Sequence, residues 1–150
     1  MTALESQSPP SVPGGQVWPL SRPDYRTLGE LGLIPENTEL LYGTVYHKMA
    51  KSPLHSFLLT QLLERLRPLL PPNHLLRPEQ PIVCSDSEPE PNISVVRGAA
   101  RDFLDDHPHH AEFGVEICVS SPDYDRAKLR AYASAGIPEV WLVLAGRGKG

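Results

Sequence analysis

The sequence predicts an α/β domain: a mixed sheet flanked by helices, in the core order helix, strand, strand, strand, helix, strand, preceded by a hairpin. Three observations predict it. One segment repeats its apolar residues at helical spacing, four short apolar runs read as strands, and the last two runs flank a second helical segment. A helix lying between two apolar strands is the crossover that a parallel pair requires, and a sheet of this kind is covered by helices. With 150 residues and 40% apolar content, the chain is sized for one domain with a real core.

Residues 1–20 are rich in Ser, Pro and Gly and show no hydrophobic period, so they are expected to form a disordered leader, with the domain proper spanning 21–150. Ser21 and Asp24 resemble a capping box that opens a short helix through "DYRTLGEL", ended by Gly32. "TELLYGTVYHKMA" alternates about Tyr42 and Gly43, the pattern of a hairpin. From Ser52 to Arg67, Leu54, Phe57, Leu58, Leu62 and Leu66 mark one helical face, with Ser52 as cap and Pro68 as stop. Strands are expected at 75–84, 92–96 and 113–119, then a helix at 123–136 ended by Gly136, then a strand at 139–144.

Composition narrows the function. No apolar run is long enough to cross a membrane and the N-terminus lacks a signal-peptide pattern, so a soluble, cytoplasmic protein is expected. The formal charge of −4 argues against broad electrostatic attraction to nucleic acid but leaves room for a local basic groove. Arg65, Arg67, Arg97, Arg101, Arg126, Lys128 and Arg130 are available for one, and equally read as ordinary solvated charges. Cys84 and Cys118 lie in apolar segments without CxxC spacing, and are expected to be buried free thiols.

Glu116 stands in the middle of the apolar strand "FGVEICVSS". A carboxylate there is costly unless it is paired or binds a cation. Lys128 follows on the next helix, with Asp125 and Arg126 at its start. A strand carboxylate, a neighbouring acidic position and a lysine are the parts that hold a divalent cation and stabilise charge on a phosphate. An ordinary salt bridge from Glu116 to Lys128 or Arg126 accounts for the same residues and stays open.

The segments "SPLHSFLLTQLLERL", "EQPIV", "EPEPNISVVRG" and "VEICVSSPDYDRAKLRAYASAGIPEVWLV" together resemble the Uma-type family of restriction endonucleases, within the PD-(D/E)xK nuclease superfamily. The resemblance runs over about residues 21–144, and "YDRAKLRAYASAGIPEVWLV" is its most specific piece. It implies a restriction endonuclease-like fold and Mg²⁺-dependent hydrolysis of DNA phosphodiester bonds, by enzymes that often act as homodimers. The family's first acidic metal ligand falls on Asn92, its second on Glu116, and its lysine on Lys128. Glu39 in "TELLYG" and Gln80 match supporting polar positions, and His55 matches a recurrent histidine that serves equally as a helix-start residue. Cys118 stands where the family usually has serine.

Two departures bear on activity. Asn92 retains an acceptor oxygen but lacks the charge that Mg²⁺ favours, so metal affinity should fall. Glu90, two residues away, offers a partial substitute if the strand start bends at Pro91. The chain also ends in "AGRGKG" where the family usually continues with further strand, which leaves a C-terminal truncation open. The expectation is a metal-dependent endonuclease weakened at Asn92. An inactive relative that binds nucleic acid or a protein partner is the alternative, and an unrelated metabolic enzyme, without a cofactor fingerprint to support it, comes last.

Other signals carry less. In "DDHPHH", residues 105–110, Pro108 interrupts regular ligand spacing, and the tract reads as a solvated loop. Trp18 falls in the leader and Trp141 in an apolar strand where burial is the default. Ser120 and Ser121 lack the context of a serine nucleophile and are expected to begin the turn into the helix.

Overall fold

In the computed structural model, residues 11–146 are described. Of the leader expected over 1–20, residues 1–10 lie outside them, and Ser11–Leu20 carry neither helix nor strand. The C-terminal four residues also lie outside.

Helix α1, Arg22–Glu30, is capped by Ser21, whose Oγ accepts from the Asp24 N–H at 3.2 Å. Strands β1, Thr38–Leu41, and β2, Thr44–His47, form an antiparallel hairpin with Leu41 opposite Thr44. Tyr42 and Gly43 both have positive φ, 54° and 78°, as a two-residue turn matched to strand twist requires. Gly43 has a second constraint, because a Cβ there would lie 2.6 Å from Pro19 Cβ.

Helix α2, Pro53–Leu66, is capped by Ser52 and runs into a 3₁₀ turn at Arg67–Leu69. Strands β3, His74–Pro78; β4, Ile93–Arg97; β5, Phe113–Cys118; and β6, Val140–Leu144, make one sheet in the order β3-β4-β5-β6. β4 pairs antiparallel with β3 and with β5, and β6 is parallel to β5. Alternate side chains face opposite layers. Leu76, Ile93, Val95, Val115 and Ile117 pack against Leu58, Leu59, Leu62, Leu63 and Leu66 of α2. On the other face Val96 joins Ile82, Cys84, Ala131, Tyr132 and Ile137.

The expected class and element order are present, with four local corrections. The strand expected at 75–84 ends at Pro78. Glu79 takes φ 52°, proline at 78 and 81 removes two ladder donors, and Ile82–Cys84 continue as buried irregular chain. The helix expected at 123–136 is two pieces, α3, Pro122–Ala127, and α4, Leu129–Ser134, because the chain tightens at Lys128, whose N–H bonds Asp125 O at 3.2 Å. Phe57 is 60% exposed: the face of α2 that meets the sheet follows 58, 62, 66 and 59, 63, one position further round. Trp141 is 46% exposed, since β6 is an edge strand. Its ring meets Phe113 edge-on, and its Nε1–H donates to Glu139.

Candidate active site

Because Val115 and Ile117 face α2, Glu116 points to the opposite layer, where the hairpin and α3–α4 meet the sheet. There Lys128 Nζ lies 2.6 Å from Glu116 Oε1 and 2.7 Å from Glu39 Oε1, and donates to Glu90 O at 3.3 Å. All three residues of this charged group are buried. An ammonium has three protons, so these acceptors use every one.

Further bonds fix the carboxylates. Tyr132 OH donates to Glu116 Oε1, Tyr124 OH to Glu39 Oε2 at 2.7 Å, and the Glu90 N–H to Glu39 Oε1 at 2.8 Å. Burial pushes the Glu116 carboxyl up to about 7, the nearby ammonium opposing the rise. Burial also lowers the Lys128 pKa, but Glu116 and Glu39 outweigh it and hold the group above its ordinary value. Burial raises the phenols of Tyr124 and Tyr132, and the two glutamates add to the rise.

The charged group forms the floor of a cavity of about 480 Å³. The loop 48–52, the start of α2, Glu79, Asn92 and α3 supply the walls. Glu39, Glu79, Glu90, Glu116 and Asp125 face Lys48, Lys51 and Lys128, so carboxyl groups outnumber ammoniums on its lining. Lys48 is paired with Glu90 and Lys51 with Glu79.

Asn92 has a definite orientation. Its Oδ1 accepts the Ile117 N–H at 2.7 Å, so the side of the amide left for the cavity carries N–H donors. His55 also lines the cavity. Desolvation lowers its pKa, and among the described residues its buried Nδ1 has no partner.

Of the residues singled out in the sequence, Glu39, Glu90, Asn92, Glu116 and Lys128 come together on this cavity; Gln80 does not. Its Oε1 instead accepts from the buried Arg77 guanidinium at 3.0 Å. Arg77 also bonds Pro81 O and His107 Nδ1, which ties the histidine-rich tract to the sheet. Of the seven basic residues proposed for a groove, only Lys128 lines the cavity, and it is buried. Both cysteines are buried and free, and burial raises their thiols to about 12.

Sequence reasoning missed Tyr124, Tyr132, Lys48, Lys51 and Glu79. A signal for the tyrosines was present: they lie four residues before and after Lys128, a spacing that stacks side chains on one helical face. Glu79 had none, because its aim depends on the left-handed turn.

One carboxylate oxygen stands open: Glu116 Oε2 has no hydrogen-bond partner among the described residues, and a carboxylate oxygen is the donor a hard divalent cation prefers. Asn92 adds only a neutral amide. Among the described residues no group of three His, Cys, Asp or Glu is arranged to hold a metal ion, and no helix is long and apolar enough to cross a membrane.

No curated protein matches the chain. A crystal structure of a "putative nuclease belonging to DUF820" from Anabaena variabilis superposes with a TM-score of 0.64 at 18% identity, over 78% of this chain and 73% of that one. At that identity the likeness establishes the fold. Residues 30–148 match the Uma2 family, described as "Putative restriction endonuclease". As that match spans most of the sequence, the chain belongs to the Uma2 family.

Proposed function

We propose that the cavity is the active site of a DNA endonuclease whose activity is weakened at Asn92. The observation that carries this reading is Glu116 Oε2, without a hydrogen-bond partner among the described residues, beside a saturated Lys128 on the floor of a cavity where carboxyl groups outnumber ammoniums. In this reading Glu116 holds Mg²⁺ and Asn92 occupies the adjoining ligand position. The ion, when bound, supplies a lowered water pKa and charge neutralisation at the scissile phosphate. Lys128 and Tyr132 hold Glu116 in place, and Glu39, oriented by Tyr124 and the Glu90 N–H, holds Lys128. They are positioning residues.

The deficit at Asn92 is electrostatic. An amide cannot replace the second carboxylate that a hard cation prefers, and losing about 4 kcal/mol of transition-state stabilisation slows turnover about 10³-fold. A second reading, a nuclease-fold protein that binds DNA without cutting, is favoured by the Asn92 Oδ1 bond to the Ile117 N–H, which turns donors rather than a ligand oxygen toward the cavity.

Plasmid cleavage in Mg²⁺ or Mn²⁺ separates the two. The natural chain, its Asn92→Asp variant and a Glu116→Gln blank are compared. Slow cutting by the natural chain, faster cutting by Asn92→Asp and none by the blank is the expected result. Cutting by Asn92→Asp alone favours the binding reading, and cutting by none of the three overturns the nuclease reading.

A further inference from the structure

The lysine at the centre of the site has no proton left for a substrate. Lys128 gives its three N–H bonds to Glu39, Glu116 and the Glu90 carbonyl, and its side chain is 3% exposed. Tyr124 and Tyr132 likewise direct their hydroxyl protons at carboxylates. A phosphate entering the cavity therefore meets no cation on its floor that is free to bond it.

The walls differ. Lys48 and Lys51 stand on the loop that joins β2 to α2, and both line the cavity. Each gives one hydrogen bond to a glutamate, Lys48 to Glu90 and Lys51 to Glu79. Among the described residues, two protons remain on each ammonium without a partner. Their side chains are 30% and 52% exposed, so the remaining donors reach solvent.

The glutamates that hold them are themselves fixed. Glu90 lies between the charged floor and Asn92, its backbone bonded to Glu39 and Lys128 at either end. Glu79 is held at φ 52° with its N–H on Asn92 O, and Arg77 braces the following turn through Gln80 and Pro81. An exposed ion pair adds little to stability, but it sets where a flexible lysine points.

We infer that Lys48 and Lys51 are the phosphate-contacting residues of this site, aimed over the cavity by Glu90 and Glu79, and that they bind the backbone of a DNA strand as point charges. The inference rests on the nuclease-fold reading above and deepens it, replacing Lys128 as the direct phosphate ligand. The loop bearing the two lysines then acts as one jaw of the site, with the Glu116 floor as the other.

The test is the salt dependence of binding to a short DNA duplex, followed by fluorescence anisotropy with Ca²⁺ in place of Mg²⁺. Removing one phosphate-neutralising charge lowers the slope of log affinity against log salt by about 1. The expected result is a slope lower by about 1 in Lys48→Gln and in Lys51→Gln, by about 2 in the double variant, and unchanged in Arg97→Gln, with melting temperatures held. Arg97 is an exposed cation that does not line the cavity. Binding whose slope is unchanged in the lysine variants overturns the inference and leaves the nuclease reading standing. A natural chain that does not bind DNA at all overturns both.

Discussion

Lys128 Nζ lies 2.6 Å from Glu116 Oε1, and both side chains are 97% or more buried. The pair joins the junction between α3 and α4 to the inner strand β5, and Glu39 brings in the hairpin. The charges that make the site are thus also the polar joint between three parts of the fold.

Replacing Lys128 with Met should destabilise the domain by about 3–5 kcal/mol, because two buried carboxylates lose their counter-charge. Adding Glu39→Gln and Glu116→Gln to that variant should restore much of the stability. Urea unfolding of the single and triple variants measures both.

The Glu116 carboxyl, raised to about 7 by burial, gives a signed pH dependence. Its folded pKa lies above the unfolded value, so the folded state holds the proton more tightly. The contribution favours folding below the unfolded pKa and is lost as pH rises from about 4.5 to about 7. Proton and metal ion compete for this carboxylate, so Mg²⁺ affinity, read as the Mg²⁺ concentration for half-maximal cleavage, should tighten as pH rises over the same range. An affinity that does not change with pH would separate Glu116 from metal binding.

His107 Nδ1 accepts from the Arg77 guanidinium, so this bond needs a neutral ring. Desolvation and Arg77 lower its pKa. The unfolded chain then takes up the proton first, and the stability contributed above the unfolded pKa of about 6.5 is lost as pH falls below it. Thermal melts at pH 8 and pH 5.5 should show a larger drop in the natural chain than in His107→Gln.

Asn92→Asp keeps an oxygen for the Ile117 N–H and adds a charge beside Glu116. Without divalent ions the variant should melt below the natural chain, and Mg²⁺ should raise its melting temperature more than it raises the natural chain's. Equal shifts would place the ion elsewhere.

Gly43→Ala should cost about 1–3 kcal/mol for the positive φ alone, and more from the approach of Pro19. Chemical denaturation reads this cost, and a neutral result would mean that Ser11–Leu20 moves aside freely.

The sequence by itself determined the elements and their order. Caps at Ser21 and Ser52, the Tyr42-Gly43 turn and the stop at Gly136 are local signals, and the strand and helix periods are local as well. It also marked Glu116 and Lys128, because a charge in an apolar strand is anomalous wherever the strand packs. Tertiary structure alone decided that β6 is an edge that leaves Trp141 exposed, that Gln80 serves Arg77, and that Glu79 reaches the cavity. It also decided that Lys128 is fully bonded while Lys48 and Lys51 retain free donors. Each depends on which distant groups meet a side chain, and hydrogen-bond saturation is a property of those meetings that residue type and spacing do not contain.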